Sequence, residues 1–342
     1  MIKKGILLIN LGTPDSPETP DVRKYLNEFL TDARVIDIPW VLRQILVRGI
    51  ISPFRAPKSG KTYKAIWTKQ GSPLLLHSLA LRDKVAEKMD DSYEVVLAMR
   101  YQTPSLTAAL NQLKAAKVSE ITILPLYPHY ATSSTGSTME KVFEILKDWE
   151  IIPSIKIIRE FYQHPSFIAA WKERIQPFLN KEYDCYLFSY HGVPQRHIRK
   201  TDCLCSKQAK GQECFQTGNP CLAIQQGNHE CYRAQCFATT ELIVKALDLP
   251  KDKVKTTFQS RLGNDPWVQP YTEPAIVELA KSGAKNILAM SPAFVADCLE
   301  TVYEIAEEYQ EVFVEEGGEK ITLVPSLNAL PRWVDAVVEL VK

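Results

Sequence analysis

The stretch "LKAAKVSEITILPLYPHY" (113–130) returns in altered form as "LAKSGAKNILAMSPAF" (279–294). Each copy reads as the end of a helix, a lysine, a short apolar strand, and a proline flanked by aromatic or small residues. The helical patterns "MEKVFEIL" (139–146) and "LETVYEIAEE" (299–308) follow the two copies at similar places. Further apolar runs lie at 5–12, 93–102, 154–161, 184–192, 253–263 and 320–328, and the two copies add 120–128 and 285–294. Nearly continuous apolar runs of this length suit strands buried on both faces of a parallel sheet. Helical patterns separate them: Ser105–Lys117, Ser137–Trp149, Ser166–Leu179, Thr239–Leu247, Glu273–Ser282 and Leu299–Val312. Several open on Ser or Thr, which predicts side-chain N-caps. The alternation predicts an α/β protein of two related, doubly wound domains. The first spans 1–165 and the second 166–325, and a last helix within 326–342, after Pro325, returns to the first.

The 342 residues suffice for two cores, and 45% apolar and 24% charged residues are ordinary for a globular chain. A net charge of +1 gives no basic field for nucleic acid. The short apolar run near the N-terminus meets Gly12 and Pro14 too soon for a signal peptide, and no apolar stretch reaches the roughly 18 residues of a membrane span. A cytoplasmic location is expected, where thiols stay reduced. "SGKT" (59–62) imitates the end of a P-loop, but Arg55 stands where its first glycine belongs. No G-x-G-x-x-G pattern supports a dinucleotide site.

Ligands of such folds sit beyond the carboxyl ends of the strands. Those ends read "NLGTP", "RYQTP", "PLYPHYATSSTG", "SYHGVP", "QSRLGNDPW" and "SPAFVADCLE", which predicts a cleft between the domains. His191 follows a strand and precedes a Gly-Val-Pro turn. An imidazole there can exchange protons in the cleft, or simply bond a neighbouring loop. Asp297 and Glu300 sit at a strand-to-helix junction, with Glu304, Glu307 and Glu311 following Glu300 on one helical face. Such a face is either solvated or part of the site. One His and one Glu meeting at a cleft suit a divalent ion such as Fe²⁺.

Six of the eight cysteines crowd into 203–236, in an insertion of the second domain. A reducing compartment disfavours disulfides. Four thiolates suit Zn²⁺ or an iron–sulfur cluster, and the short C-x2-C knuckles of zinc ribbons are missing.

Eight ordered segments resemble the bacterial ferrochelatases: "LLINLGTP", "FLTDARVIDIP", "GSPLL", "MRYQTPS", "LPLYPHYATSSTGS", "SYHGVPQRH", "TFQSRLGNDPWVQPYT" and "FVADCLETVYEIAEE". The resemblance implies two Rossmann-like domains with a porphyrin cleft between them. It implies insertion of Fe²⁺ into protoporphyrin IX, giving protoheme and two protons. His191 and Glu300 match the family's essential histidine and glutamate, at the substrate iron. Asp297 and Glu304 would continue a proton or metal path. Leu11, Trp67, Tyr101 and Tyr127 would supply flat, apolar walls, and Arg100 would meet a propionate. The cysteine run resembles a subgroup with an internal 2Fe–2S segment, best through Cys214, Cys221, Cys231 and Cys236, with Cys203 and Cys205 as extras. Zn²⁺ at these thiols is the alternative cofactor. "IPWVLRQILVRGIISPFRAPKSGK" (38–61) matches the family's apolar lip, with Arg43, Arg48, Arg55 and Lys58 among its apolar residues. That pattern predicts peripheral contact with a membrane through 38–58. Competing readings are a chelatase using another metal or coproporphyrin, and a non-catalytic porphyrin-binding redox sensor.

Overall fold

The computed structural model describes residues 3–201, 224, 227–263 and 265–342. Strands β1 (Lys4–Gly12), β2 (Tyr93–Tyr101), β3 (Glu120–Pro125) and β4 (Ser154–Ile157) form a sheet of order β2-β1-β3-β4. Strands β5 (Cys185–His191), β6 (Val254–Gln259), β7 (Asn286–Met290) and β8 (Lys320–Leu323) form a second, of order β6-β5-β7-β8. All strand pairs are parallel. The second sheet repeats the topology of the first, so the echo between 113–130 and 279–294 marks equivalent strands, β3 and β7. The fold is the expected α/β class with two parallel-sheet units. One unit comprises Met1–Tyr127, Ala131–Glu160 and Val334–Lys342, and the other Pro128–Tyr130 and Phe161–Trp333.

Each unit builds its core the same way. In the first, Leu7, Ile9, Val96, Ala98, Ile121 and Ile123 of the sheet meet Leu110 and Leu113 of helix Leu106–Ala115 and Val142 of helix Ser137–Leu146. In the second, Leu187, Ile287, Ala289 and Ile321 meet Ile276 of helix Thr272–Lys281 and Phe313 of helix Tyr309–Glu315. Burial of each of these Leu, Ile, Val and Phe side chains is worth about 1.5–3 kcal/mol, so strands covered by helices keep continuous apolar sequences.

Every strand but β1 stops earlier than its apolar run. After β2 and after β6 the chain turns through a left-handed residue, Gln102 and Ser260, each at φ 66°. A non-glycine residue there costs roughly 1–2 kcal/mol. In both places a carboxylate holds the turn. Glu28 accepts from the Gln102 backbone and side-chain amides, and Glu304 accepts from Ser260 Oγ at 2.5 Å.

Three helical expectations change. Ser105 caps its helix through the Ala108 N–H at 3.2 Å, but helix Ser137–Leu146 instead continues a π turn, Thr132–Gly136, without a side-chain cap. Helix Tyr232–Leu247 begins seven residues before the expected Thr239, because Arg233 and Gln235 are buried polar residues that break its apolar period. The run Leu299–Val312 is not one α-helix: Leu299–Val302 passes into a π turn, Glu304–Glu308, and then into Tyr309–Glu315. The extra residue of a π turn moves the acids off a common face.

Residues 40–66 form Trp40–Gln44, a π turn Ile45–Ile51 and helix Ser52–Ile66. Trp40, Val41, Leu42, Ile45, Ile50 and Phe54 are exposed, Phe54 to 78%. Val47 and Ala56 face inward. Arg43 is not part of a basic edge; it is buried and donates to the Ile36 and Ile38 carbonyls. No helix among the described residues is long and apolar enough to cross a membrane.

Candidate active site

His191 is the last residue of β5 and is half-buried. Its Nδ1 lies 2.6 Å from the Gly192 carbonyl, which can only accept, so Nδ1 carries the proton. In the neutral imidazole the lone pair is then on Nε2. Trp267 and Phe294 flank the ring at 6.5 and 6.3 Å between centroids. Gly192 cannot be larger, since a Cβ would lie 2.8 Å from the Gln259 carbonyl and 3.1 Å from the Trp267 ring. The Gly192 N–H donates to that same carbonyl at 2.8 Å, fixing the strand end.

Glu300 stands in the first turn of Leu299–Val302 and is half-buried. Gln259 joins its helix to the strand of His191. It pairs with His191 in the β5–β6 register, and its Nε2 donates to the Glu300 carbonyl at 2.8 Å and to Glu304 Oε2 at 3.1 Å. Its Oε1 accepts from Ser189 at 2.5 Å. Glu304 is turned inward, accepting also from Tyr309 at 2.8 Å, whereas Glu307, Glu308 and Glu311 are exposed. Burial first, and then the Glu304 charge, push the Tyr309 hydroxyl up, so it stays a donor. Asp297 is tied into its turn by Ser326 N at 2.9 Å and Asn328 Nδ2 at 2.7 Å. Cys298 is buried, and burial followed by the Glu300 charge keeps its thiol protonated.

The first unit carries the other expected site residues, Trp67 just after helix Ser52–Ile66 and the rest at or near its strand ends. Leu11 and Trp67 are half-buried. Arg100 donates to Asp32 Oδ2 at 2.6 Å and to Ser137 Oγ at 2.7 Å. Tyr101 is fully buried, stacked edge-on to Phe29 at 5.1 Å, and its hydroxyl donates to Asp32 at 2.9 Å. The Tyr127 ring is half-buried and burial pushes its hydroxyl up. Arg100 and Tyr101 thus share one carboxylate, and Tyr101 is core.

A model of the family described as Ferrochelatase matches residues 3–342. The chain belongs to the ferrochelatase family. It is 47% identical over 340 residues to the ferrochelatase of Legionella pneumophila (strain Lens), covering 99% of both chains. It is 42% identical over 344 residues to the ferrochelatase of Coxiella burnetii (strain Dugway 5J108-111), covering 99% of this chain and 93% of that one. Among solved structures, SirB from Bacillus subtilis with Fe3+ matches at a TM-score of 0.55 and 11% identity, over 99% of this chain and 94% of that one, a likeness of fold alone. Membership makes the chain a metal chelatase, a lyase, that inserts iron into a porphyrin in heme biosynthesis.

Beyond the expected residues, Gln259, Ser260 and Tyr309 fix Glu304 in place. Gln259 and Ser260 lie inside "TFQSRLGNDPW", but their roles arise from strand register, which one sequence does not display.

Two of the expected cluster ligands, Cys214 and Cys221, lie outside the described residues, as do Cys203 and Cys205. Cys231 precedes helix Tyr232–Leu247 and Cys236 lies five residues on; both are buried. Among the described residues no three metal-ligating side chains gather. Burial holds the Cys236 thiol well up, beside the Tyr232 hydroxyl. A cluster ligand is a thiolate. Cys236, as placed, is a buried core thiol.

Proposed function

We propose that the chain inserts Fe²⁺ into protoporphyrin IX, with His191 as proton acceptor and Glu300 as the carboxylate beside the entering ion. The observation that carries this reading is the fixed tautomer of His191. Its Nδ1–H is held by Gly192, which leaves Nε2 able to take a pyrrole proton. Metal entry releases two such protons. Glu300 offsets the charge of the ion as its waters leave. Glu304, anchored by Gln259, Ser260 and Tyr309, extends the acidic side of the site, and Asp297 holds the turn in front of it. Leu11, Trp67 and Tyr127 line the porphyrin. The exposed apolar residues of 40–54 rest on the membrane surface from which a poorly soluble porphyrin arrives. The cysteine segment holds a 2Fe–2S cluster through Cys214, Cys221, Cys231 and Cys236. Such a cluster supplies one-electron redox capacity.

A continuous assay with protoporphyrin IX and Fe²⁺ tests the site. His191→Ala and Glu300→Gln each lower turnover by roughly 10²-fold or more, with porphyrin binding retained. Near-normal turnover in both overturns the assignment. Faster turnover with coproporphyrin overturns the choice of substrate.

A further inference from the structure

We propose that Tyr232 is a positioning residue for the proton acceptor, holding the His191 backbone from behind. This rests on the reading of His191 above. Tyr232 is the first residue of helix Tyr232–Leu247, and its hydroxyl donates to the His191 carbonyl at 2.8 Å. The strand end at His191 has a second tie, the Gly192 N–H to Gln259. The imidazole in turn rests on the Gly192 carbonyl. The peptide unit between His191 and Gly192 is therefore held from both sides: Tyr232 takes its carbonyl and Gln259 takes its N–H. The Gly192 carbonyl that sets the imidazole tautomer is the next group along the chain. Loss of the Tyr232 bond leaves this peptide on the Gln259 tie alone, and any tilt about that tie moves the Nδ1 acceptor.

The surroundings make Tyr232 a rigid prop. The residue is 7% exposed. Its ring meets His129 edge-on at 6.0 Å and Phe258 at 6.5 Å. His129 is fixed too: Thr239 Oγ donates to the Tyr162 carbonyl at 3.0 Å and so accepts from His129 Nε2 at 2.9 Å. Arg233, the next residue, donates to the Gln269 carbonyl at 3.1 Å, and Gln235 receives the Tyr130 N–H at 2.8 Å. The neighbouring Tyr190 hydroxyl bonds Thr240 at 2.9 Å instead, which makes it a matched control. It too is a buried phenol packed against His129, with no bond to the His191 backbone.

The test compares wild type, Tyr232→Phe, Tyr190→Phe and His191→Ala in Fe²⁺ insertion, with kcat, KM for porphyrin and the pH dependence of kcat recorded for each. Loss of one such hydrogen bond to the reacting unit lowers kcat about tenfold. The expected result is that drop in Tyr232→Phe, an unchanged KM and a displaced acid limb of the pH profile, with Tyr190→Phe matching wild type in all three. Equal losses in both phenylalanine variants would reduce Tyr232 to core packing and overturn the proposal. So would a wild-type kcat and pH profile in Tyr232→Phe alongside an inactive His191→Ala. A fully active His191→Ala would instead overturn the reading on which the proposal rests.

Discussion

Asp32→Asn strikes the most heavily bonded carboxylate of the first unit. Oδ2 of Asp32 accepts from Arg100 Nη2 at 2.6 Å, Tyr101 OH at 2.9 Å and Ser137 Oγ at 2.5 Å. Oδ1 accepts from Arg34 N at 2.7 Å. An amide has the right shape and the wrong chemistry. With its oxygen toward the three side chains, its NH₂ meets the Arg34 N–H; flipped, its NH₂ meets the guanidinium. Either way a donor faces a donor, and the charge opposite Arg100 is gone. The side chains of Arg100 and Asp32 are only 12% and 7% exposed, so solvent does not replace what is lost. Breaking a buried pair from one side costs about 3–5 kcal/mol. For a unit of this size 1 kcal/mol corresponds to roughly 2–4 °C, so the melting temperature should fall by about 6–20 °C. Differential scanning calorimetry reads this directly. Asp32→Leu combined with Arg100→Met should recover part of the loss, because it removes the stranded cation. A drop below about 1 kcal/mol for Asp32→Asn alone would refute the claim that this network is sealed from water.

Burial lowers the His129 imidazole to about 3. The unfolded chain therefore binds a proton there that the native one refuses, and stability is lost as pH falls from the ordinary value of 6.5 toward 3. The loss approaches about 1.4 kcal/mol per pH unit between those values, and urea denaturation of His129→Gln should show a shallower pH dependence; identical slopes would remove His129 as the cause. Serine at Ile50, Ile51 and Phe54 should weaken co-sedimentation with anionic liposomes and raise KM for porphyrin; no change in either would leave the segment as plain surface. Anaerobically purified protein should be red-brown with roughly two iron and two sulfide per chain. Serine at Cys214, Cys221, Cys231 or Cys236 should bleach it, and serine at Cys203 or Cys205 should not. One zinc in a colourless protein would refute the cluster, and retained colour in Cys236→Ser would remove Cys236 from its ligands.

The central parallel strands were legible because they are shielded on both faces, which writes burial into the sequence as an unbroken apolar run. The ends of β2 and β6 were not, since Gln102 and Ser260 adopt a backbone that their residue types do not announce. The place of His191 at a strand end was legible, as was that of Glu300 at a helix start. Gln259, which ties them together, could not, because its role depends on which residue lies across the ladder. Glu300, Glu304, Glu307 and Glu311 looked like one α-helical face; the π turn at Glu304–Glu308 divides it between an inward Glu304 and outward Glu307 and Glu311. Arg43 shows the same limit, since a basic residue in an amphipathic stretch reads as an edge until backbone carbonyls claim it.

The division of the chain into units has a temporal consequence. Val334–Lys342 belongs with the first unit, and Val334, Ala336, Val337 and Val341 are buried. All of Phe161–Trp333 is synthesised before those residues exist. Domains commonly fold in the order in which they emerge from the ribosome. Here that order is reversed at the finish. The second unit has every residue it needs while the first still lacks four buried side chains. The nascent first unit must wait, incomplete, until its closing helix is delivered, and a chain stalled near Trp333 would carry a finished His191 site on an unfinished partner.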